Sequence, residues 1–167
     1  MLSKKMQKAL NDQINAELYS AYLYYAMSAY AFTLNLNGFA KWLKVQAMEE
    51  LTHAQRIFGH IVDRNGTVAL GAMQSPPAKW ESIAVVFEGA YKHEQEISRR
   101  IDNLVNMAVE EQDHASNAFL QWFVNEQVEE ELSAYEIMQK IKMVGASMGG
   151  LLYLDKEAGK REFGSES

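Results

Sequence analysis

Four stretches of this sequence carry a carboxylate where a helix should bury an apolar side chain. Counted in steps of three and four, Leu10, Ile14, Glu17, Ala21, Tyr24 and Ser28 form one stripe. Phe39, Leu43, Gln46, Glu50, His53, Ile57 and Ile61 form a second. Phe87, Tyr91, Glu94, Ile97, Ile101, Leu104 and Ala108 form a third, and Phe119, Phe123, Glu126, Gln127, Glu130, Ala134, Ile137 and Ile141 a fourth. A lone Glu on such a stripe ordinarily snorkels to the surface or marks a helix end. Four of them near mid-helix call for one common cause. Unpaired buried acids are very costly, and Arg and Lys are scarce on these stripes. A pair of bound cations would neutralise them.

The ligand types narrow the chemistry. Residues three apart share a helix face, so Glu50 and His53 reach one ion, and Gln127 and Glu130 have the same spacing. Carboxylates with a single imidazole suit iron or manganese better than copper. One His among several Glu divides the cluster into two unequal sites. Glu17, Glu50 and His53 would hold one ion. Glu50, Glu94 and Glu130, with Gln127 nearby, would hold the other, and Glu50 would bridge ions roughly 3.5–4 Å apart. Two adjacent Fe(II) ions can together pass two electrons to O₂.

The elements that must position these groups follow from the same periodicity. The first helix is expected from about Lys5 to Phe32, the second from about Phe39 to Arg64 and the third from about Ser82 to Glu110. Asp113 is a candidate N-cap for a fourth that runs to about Val144. Asn65-Gly66 should stop the second helix, with Gly66 suited to the left-handed cap. Gly145, Gly149 and Gly150 break the pattern before a short fifth helix, about Leu151 to Ala158.

The segment from Asn65 to Trp80 has no helical stripe and contains Gly71 and the Pro76-Pro77 pair. Extended, such a loop reaches about 53 Å at ~3.3 Å per residue, against about 39 Å for the second helix at ~1.5 Å per residue. It can return along the whole bundle, so the second and third helices should run parallel. The expected fold class is all-α: a four-helix bundle with a long crossover between helices 2 and 3. The whole of residues 1–167 is expected to be one domain, with the bundle over about 5–144, the fifth helix over about 151–158 and a polar tail over 159–167.

Composition excludes several classes. The 167 residues, 48% hydrophobic with two prolines, describe a folded chain long enough for a sizeable core. The absence of cysteine removes disulfides, thiolate zinc sites, iron–sulfur clusters and thiol nucleophiles. A net charge of −6 without a basic tail argues against nucleic-acid binding. No segment reads as a secretory signal or a membrane span, so a cytoplasmic location is expected.

Leu10–Tyr25 (LNDQINAELYSAYLYY), Glu49–Ala54 (EELTHA), Tyr91–Gln95 (YKHEQ), Phe119–Glu131 (FLQWFVNEQVEEE) and Leu154–Glu157 (LDKE) resemble the prokaryotic non-haem ferritins, and the likeness covers nearly the whole chain. The resemblance implies the ferritin-like bundle with its fifth helix, assembled as a homo-24-mer cage. It implies ferroxidase activity, in which Fe(II) is oxidised by O₂ or H₂O₂ and stored as a ferric oxyhydroxide mineral. It implies two to three iron ions per subunit and no haem. The family's first iron site falls on Glu17, Glu50 and His53, and its second on Glu50, Glu94 and Glu130 with Gln127 adjacent. A third matches Glu49, Glu126 and Glu129, with Glu130 shared. From the residues alone, Glu126, Glu129 and Glu131 would read as a solvated charge run. Tyr24, two turns after Glu17, matches the tyrosine beside the diiron site, a candidate one-electron donor.

Related architectures fit less well. A haem bacterioferritin would show Glu-x-x-His where this chain has Gln127-x-x-Glu130, and a methionine where Leu51 stands. A rubrerythrin-like peroxidase needs a cysteine-bound iron, and a DNA-protecting mini-ferritin lacks the fifth helix. Trp122 could serve the same redox role as Tyr24 but reads first as a packing residue, and His60, His93 and His114 read as surface or packing residues.

Overall fold

The computed structural model describes residues 2–164. Met1 and the last three residues of the expected tail, 165–167, lie outside the described residues. Five helices follow in order: α1 (Lys4–Thr33), α2 (Asn37–Asp63), α3 (Ile83–Glu110), α4 (His114–Val144) and α5 (Met148–Ala158). No strand occurs among the described residues. The architecture is the all-α bundle with a short fifth helix.

Side-chain caps fix the helix starts. Ser3, Ser82, Asp113 and Ser147 accept from the backbone N–H three residues on, at Met6, Val85, Ser116 and Gly150. Asp113 is the cap expected from sequence. No side chain of its own caps α2. Asp155 of α5 does so from outside, its Oδ1 accepting from Phe39 N at 2.8 Å.

Two expectations are corrected. The left-handed residue ending α2 is Asn65, with φ 57°, and not Gly66. Asn tolerates that region through its short polar side chain. Gly66 is needed for close approach instead: a Cβ there would lie 2.8 Å from Ile61 Cγ2. The fifth helix begins at Met148, three residues earlier than expected, because Ser147 caps it and places Gly149 and Gly150 in its first turn. Amides there have no intrahelical partner anyway.

The crossover runs the length of α1. Thr67 N donates to Gln7 Oε1 (2.9 Å), Ala69 N to Asn11 Oδ1 (2.7 Å) and Gly71 N to Asn15 Oδ1 (3.0 Å). Further along, Trp80 meets Tyr30 ring to ring at 5.5 Å. Three amides spaced four residues apart on α1 thus serve as rungs for an otherwise irregular strand of chain. The loop carries the chain back to the start of α2, so α3 runs parallel to α2 and antiparallel to α1.

The core is split in two. One cluster contains Tyr24, Met27, Phe39, Leu43, Phe87 and Met138. The other contains Leu10, Ile14, Ile57, Ile97, Leu120 and Phe123. On each long helix the gap between the clusters falls at the acid: Glu17, Glu50, Glu94 and Glu130. A polar layer therefore crosses the bundle between two apolar halves, which hold it in place.

Candidate metal centre

Glu17, Glu50, His53, Glu94 and Glu130 are all buried, with exposures of 0%, 1%, 2%, 1% and 6%. Among the described residues no Lys or Arg pairs with any of these four carboxylates; the close charged contacts are to His53. Its Nδ1 lies 3.6 Å from Glu50 Oε2 and its Nε2 lies 3.7 Å from Glu130 Oε1.

Each acid except Glu130 has at least one oxygen anchored by a neutral donor. Gln13 Nε2 donates to Glu17 Oε1 at 2.7 Å, and Gln46 Nε2 to Glu50 Oε1 at 3.3 Å. Tyr24 donates its hydroxyl to Glu94 Oε1, and Gln127 Nε2 reaches Glu94 Oε2 at 3.2 Å. Glu17 Oε2, Glu50 Oε2, His53 Nδ1 and both oxygens of Glu130 are buried without any hydrogen-bond partner among the described residues. Native interiors rarely leave such atoms unpaired without an ion or a function to explain them.

These atoms converge. Glu17, Glu50 and His53 offer ligand atoms within 4.8 Å of one another, and so do Glu50, Glu94 and Glu130. Glu50 belongs to both groups, as a bridge must. A third group joins His53, Glu126 and Glu130. The structure thus brings Glu126 beside the buried cluster, with Glu126 Oε1 4.0 Å from His53 Nε2. Glu49 is instead paired with Arg161, and Glu129 is exposed. All three line a cavity of about 830 Å³ bounded by α2, α4, α5 and the segment after it.

Electrostatics argue for a cation in the same place. Burial, then the charges of Glu94 and Glu17, pushes the Glu50 carboxyl well above its ordinary value. Burial, then Glu50 and Glu94, does the same to Glu130. Burial also raises Glu17, partly opposed by His53 and by the hydrogen bond from Gln13. For His53, burial disfavours the charged ring, but Glu130, Glu17, Glu126 and Glu94 together outweigh it and lift the imidazole. Metal-free, the layer is short of positive charge and holds protons to compensate. Divalent cations would replace those protons, and an oxygen-rich set with one imidazole fits iron.

Tyr24 is fully buried, and burial followed by the charges of Glu94 and Glu50 pushes its phenol well above the usual value. It stays protonated and donates. Trp122 packs edge-on to His53 at 5.5 Å under the guanidinium of Arg56 at 3.8 Å. His60 stacks on Phe119 at 4.1 Å, and His93 meets Ser20 Oγ at 2.7 Å. His114 is exposed at the start of α4.

Sequence reasoning missed the supports. Gln13 and Gln46 each stand four residues before a carboxylate of the cluster, and that repeated Gln-x-x-x-Glu spacing was a usable signal. Arg161 carried none, lying in what read as a polar tail.

Residues 7–144 match the ferritin-like domain family model, and the chain belongs to the ferritin family. Among its relatives, the bacterial non-haem ferritin of Bacteroides fragilis (strain 638R) is 40% identical over 161 residues, covering 96% of this chain and 100% of that one. The bacterial non-haem ferritin of Escherichia coli O6:H1 is 40% identical over 157 residues, covering 94% and 95%. The solved structure of an open-pore ferritin from the archaeon Archaeoglobus fulgidus superimposes with a TM-score of 0.96 at 48% identity, covering 97% of this chain and 100% of that one. Among the described residues, no helix is long and apolar enough to cross a membrane.

Proposed function

We propose that this chain is an iron-storage ferritin subunit with ferroxidase activity. Fe(II) is the substrate and binds in two adjacent positions, one at Glu17, Glu50 and His53, the other at Glu50, Glu94 and Glu130 with Gln127 beside it. Each ion gives up one electron to O₂ or H₂O₂, and the ferric product moves on to a mineral inside a homo-24-mer cage. Glu49, Glu126 and Glu129, with Glu130 shared, would form an outer position for a third ion, with Glu49 leaving Arg161 to reach it.

The observation that carries this reading is the set of five buried ligand atoms that have no hydrogen-bond partner, on a cluster whose carboxylates no Lys or Arg pairs with, among the described residues. The chain's own groups do the rest. The two apolar core halves flank the cluster and fix its helices, and the carboxylates offset the growing positive charge as Fe(II) becomes Fe(III). Tyr24, held against Glu94, is placed to supply an electron if both its electron and its proton leave.

Aerobic iron loading tests the proposal. A storage cage takes up far more than three irons per chain and sediments as a large assembly. Uptake that stops at two or three irons would make this a diiron enzyme instead, and a monomer at micromolar concentration would contradict the cage.

A further inference from the structure

Two carboxylates of the cluster are held by the same three-membered arrangement, built twice. On α1, Gln13 Nε2 donates to Glu17 Oε1 at 2.7 Å, and Arg100 of α3 donates through Nε to Gln13 Oε1 at 3.1 Å. On α2, Gln46 Nε2 donates to Glu50 Oε1 at 3.3 Å, and Arg161 donates through Nη1 to Gln46 Oε1 at 2.8 Å. Gln13 and Gln46 are both 2% exposed. In each case the glutamine stands one helical turn before its glutamate, and the arginine comes from another element.

The chemistry of the three groups makes the arrangement directional. A guanidinium has donors only. It therefore fixes the glutamine oxygen toward itself and turns the amide NH₂ toward the carboxylate. The glutamine cannot flip without placing NH₂ against N–H and oxygen against oxygen. One oxygen of each glutamate is thereby engaged, and the partnerless one is Oε2 in both.

We propose that Arg100–Gln13 and Arg161–Gln46 are positioning relays that aim Glu17 Oε2 and Glu50 Oε2 at the cation positions. The proposal rests on the carboxylate layer being the cation centre described above. Its second half has a consequence for the fold, because Arg161 follows α5. Its guanidinium also pairs with Glu49 and lies over the Trp42 ring at 4.4 Å. Asp155 caps α2 at Phe39, and a Cβ on Gly38 would sit 1.7 Å from Asp155 O. Docking of α5 on the start of α2 thus delivers Arg161, and the bridging carboxylate of the centre is set from the chain's C-terminal segment.

The test uses the full-length assembled protein and Zn²⁺, which binds without redox chemistry, with affinity read by calorimetry. Gln46→Leu and Arg161→Leu should each weaken Zn²⁺ binding about ten- to hundredfold, the usual effect of removing a group that orients a metal ligand. The double variant should be no worse than either single one, since both break one relay. Arg161→Lys, which keeps a donor, should recover part of the loss. Gly38→Ala, remote from the ligands, should reproduce the Arg161→Leu loss by displacing α5. Losses that add, or singles that bind as tightly as the unmutated protein, would overturn the relay. If the unmutated protein binds no Zn²⁺ at all, the centre itself is wrong and the relay falls with it. A variant that fails to assemble is replaced by Gln13→Leu with Arg100→Leu, which carries the same non-additive expectation on α1.

Discussion

Tyr24 of α1 donates its hydroxyl across the bundle to Oε1 of Glu94 on α3, with both side chains almost wholly buried, at 0% and 1% exposed. That contact joins the apolar half of the core containing Tyr24, Phe39 and Phe87 to the polar layer. Tyr24→Phe should therefore cost about 1–3 kcal/mol in the metal-free protein, because a buried carboxylate oxygen loses its donor. It should slow Fe(II) oxidation while leaving the number of Zn²⁺ ions bound unchanged. Melting, stopped-flow oxidation and Zn²⁺ titration check the three parts separately.

Glu50 is the residue on which function and stability pull in opposite directions. Glu50→Gln removes the carboxylate common to both three-residue groups and, if these hold the two cations, should abolish fast Fe(II) oxidation. The same change removes a carboxyl whose ionisation burial and its acidic neighbours oppose. The metal-free variant should melt higher by several degrees, about 1–2 kcal/mol. A variant that is both inactive and less stable would show that Glu50 serves packing.

The same groups predict an unusual pH dependence. Glu50 and Glu130 have folded values raised above their unfolded ones. The native state then binds protons more tightly than the unfolded chain, so stability falls as pH rises through the raised values. His53, also raised, acts in the same direction, stabilising at low pH and losing that contribution as pH rises. His60 and His93, lowered by burial, act in the opposite sense. Denaturant titration of the metal-free protein should show stability declining as pH rises above the ordinary carboxylate range, with a shallower slope in Glu50→Gln. Saturating Zn²⁺ should flatten it, since bound cations replace the protons.

At the far end of the bundle, Asp113 caps α4 and pairs with Arg64 at 3.0 Å. Burial opposes its charge, but hydrogen bonds from Ser116 and from Arg64 outweigh that and lower the carboxyl to about 2. Its folded value is depressed, so its contribution is present above about 4 and is lost as pH falls toward 2. Asp113→Ala should cost about 1–2 kcal/mol at neutral pH, and the gap from the unmutated protein should close on acidification over that window. An equal gap at pH 7 and pH 2.5 would assign the loss to packing.

How much of this was legible in the sequence differs by element. The four acids were readable because helical period is a local property, and Glu17, Glu50, Glu94 and Glu130 each interrupt an apolar stripe. The crossover was readable from length alone, but its rungs at Gln7, Asn11 and Asn15 were not, since nothing local tells an anchoring amide from a surface one. The cap at Asn65 was misassigned to Gly66 because the two are neighbours and both tolerate left-handed backbone. Arg161 was invisible for a tertiary reason. Its role exists only once α5 has docked on α2, and the pairing spans 112 residues between Glu49 and Arg161.

If carboxylates from four helices hold adjacent cations inside one protomer, an anomalous-scattering map from crystals soaked in Fe(II) should show two neighbouring iron peaks, one among Glu17, Glu50 and His53 and one among Glu50, Glu94 and Glu130, with Glu50 touching both. A map with no iron in that layer, or with iron only along the exposed acids of the cavity, would contradict it.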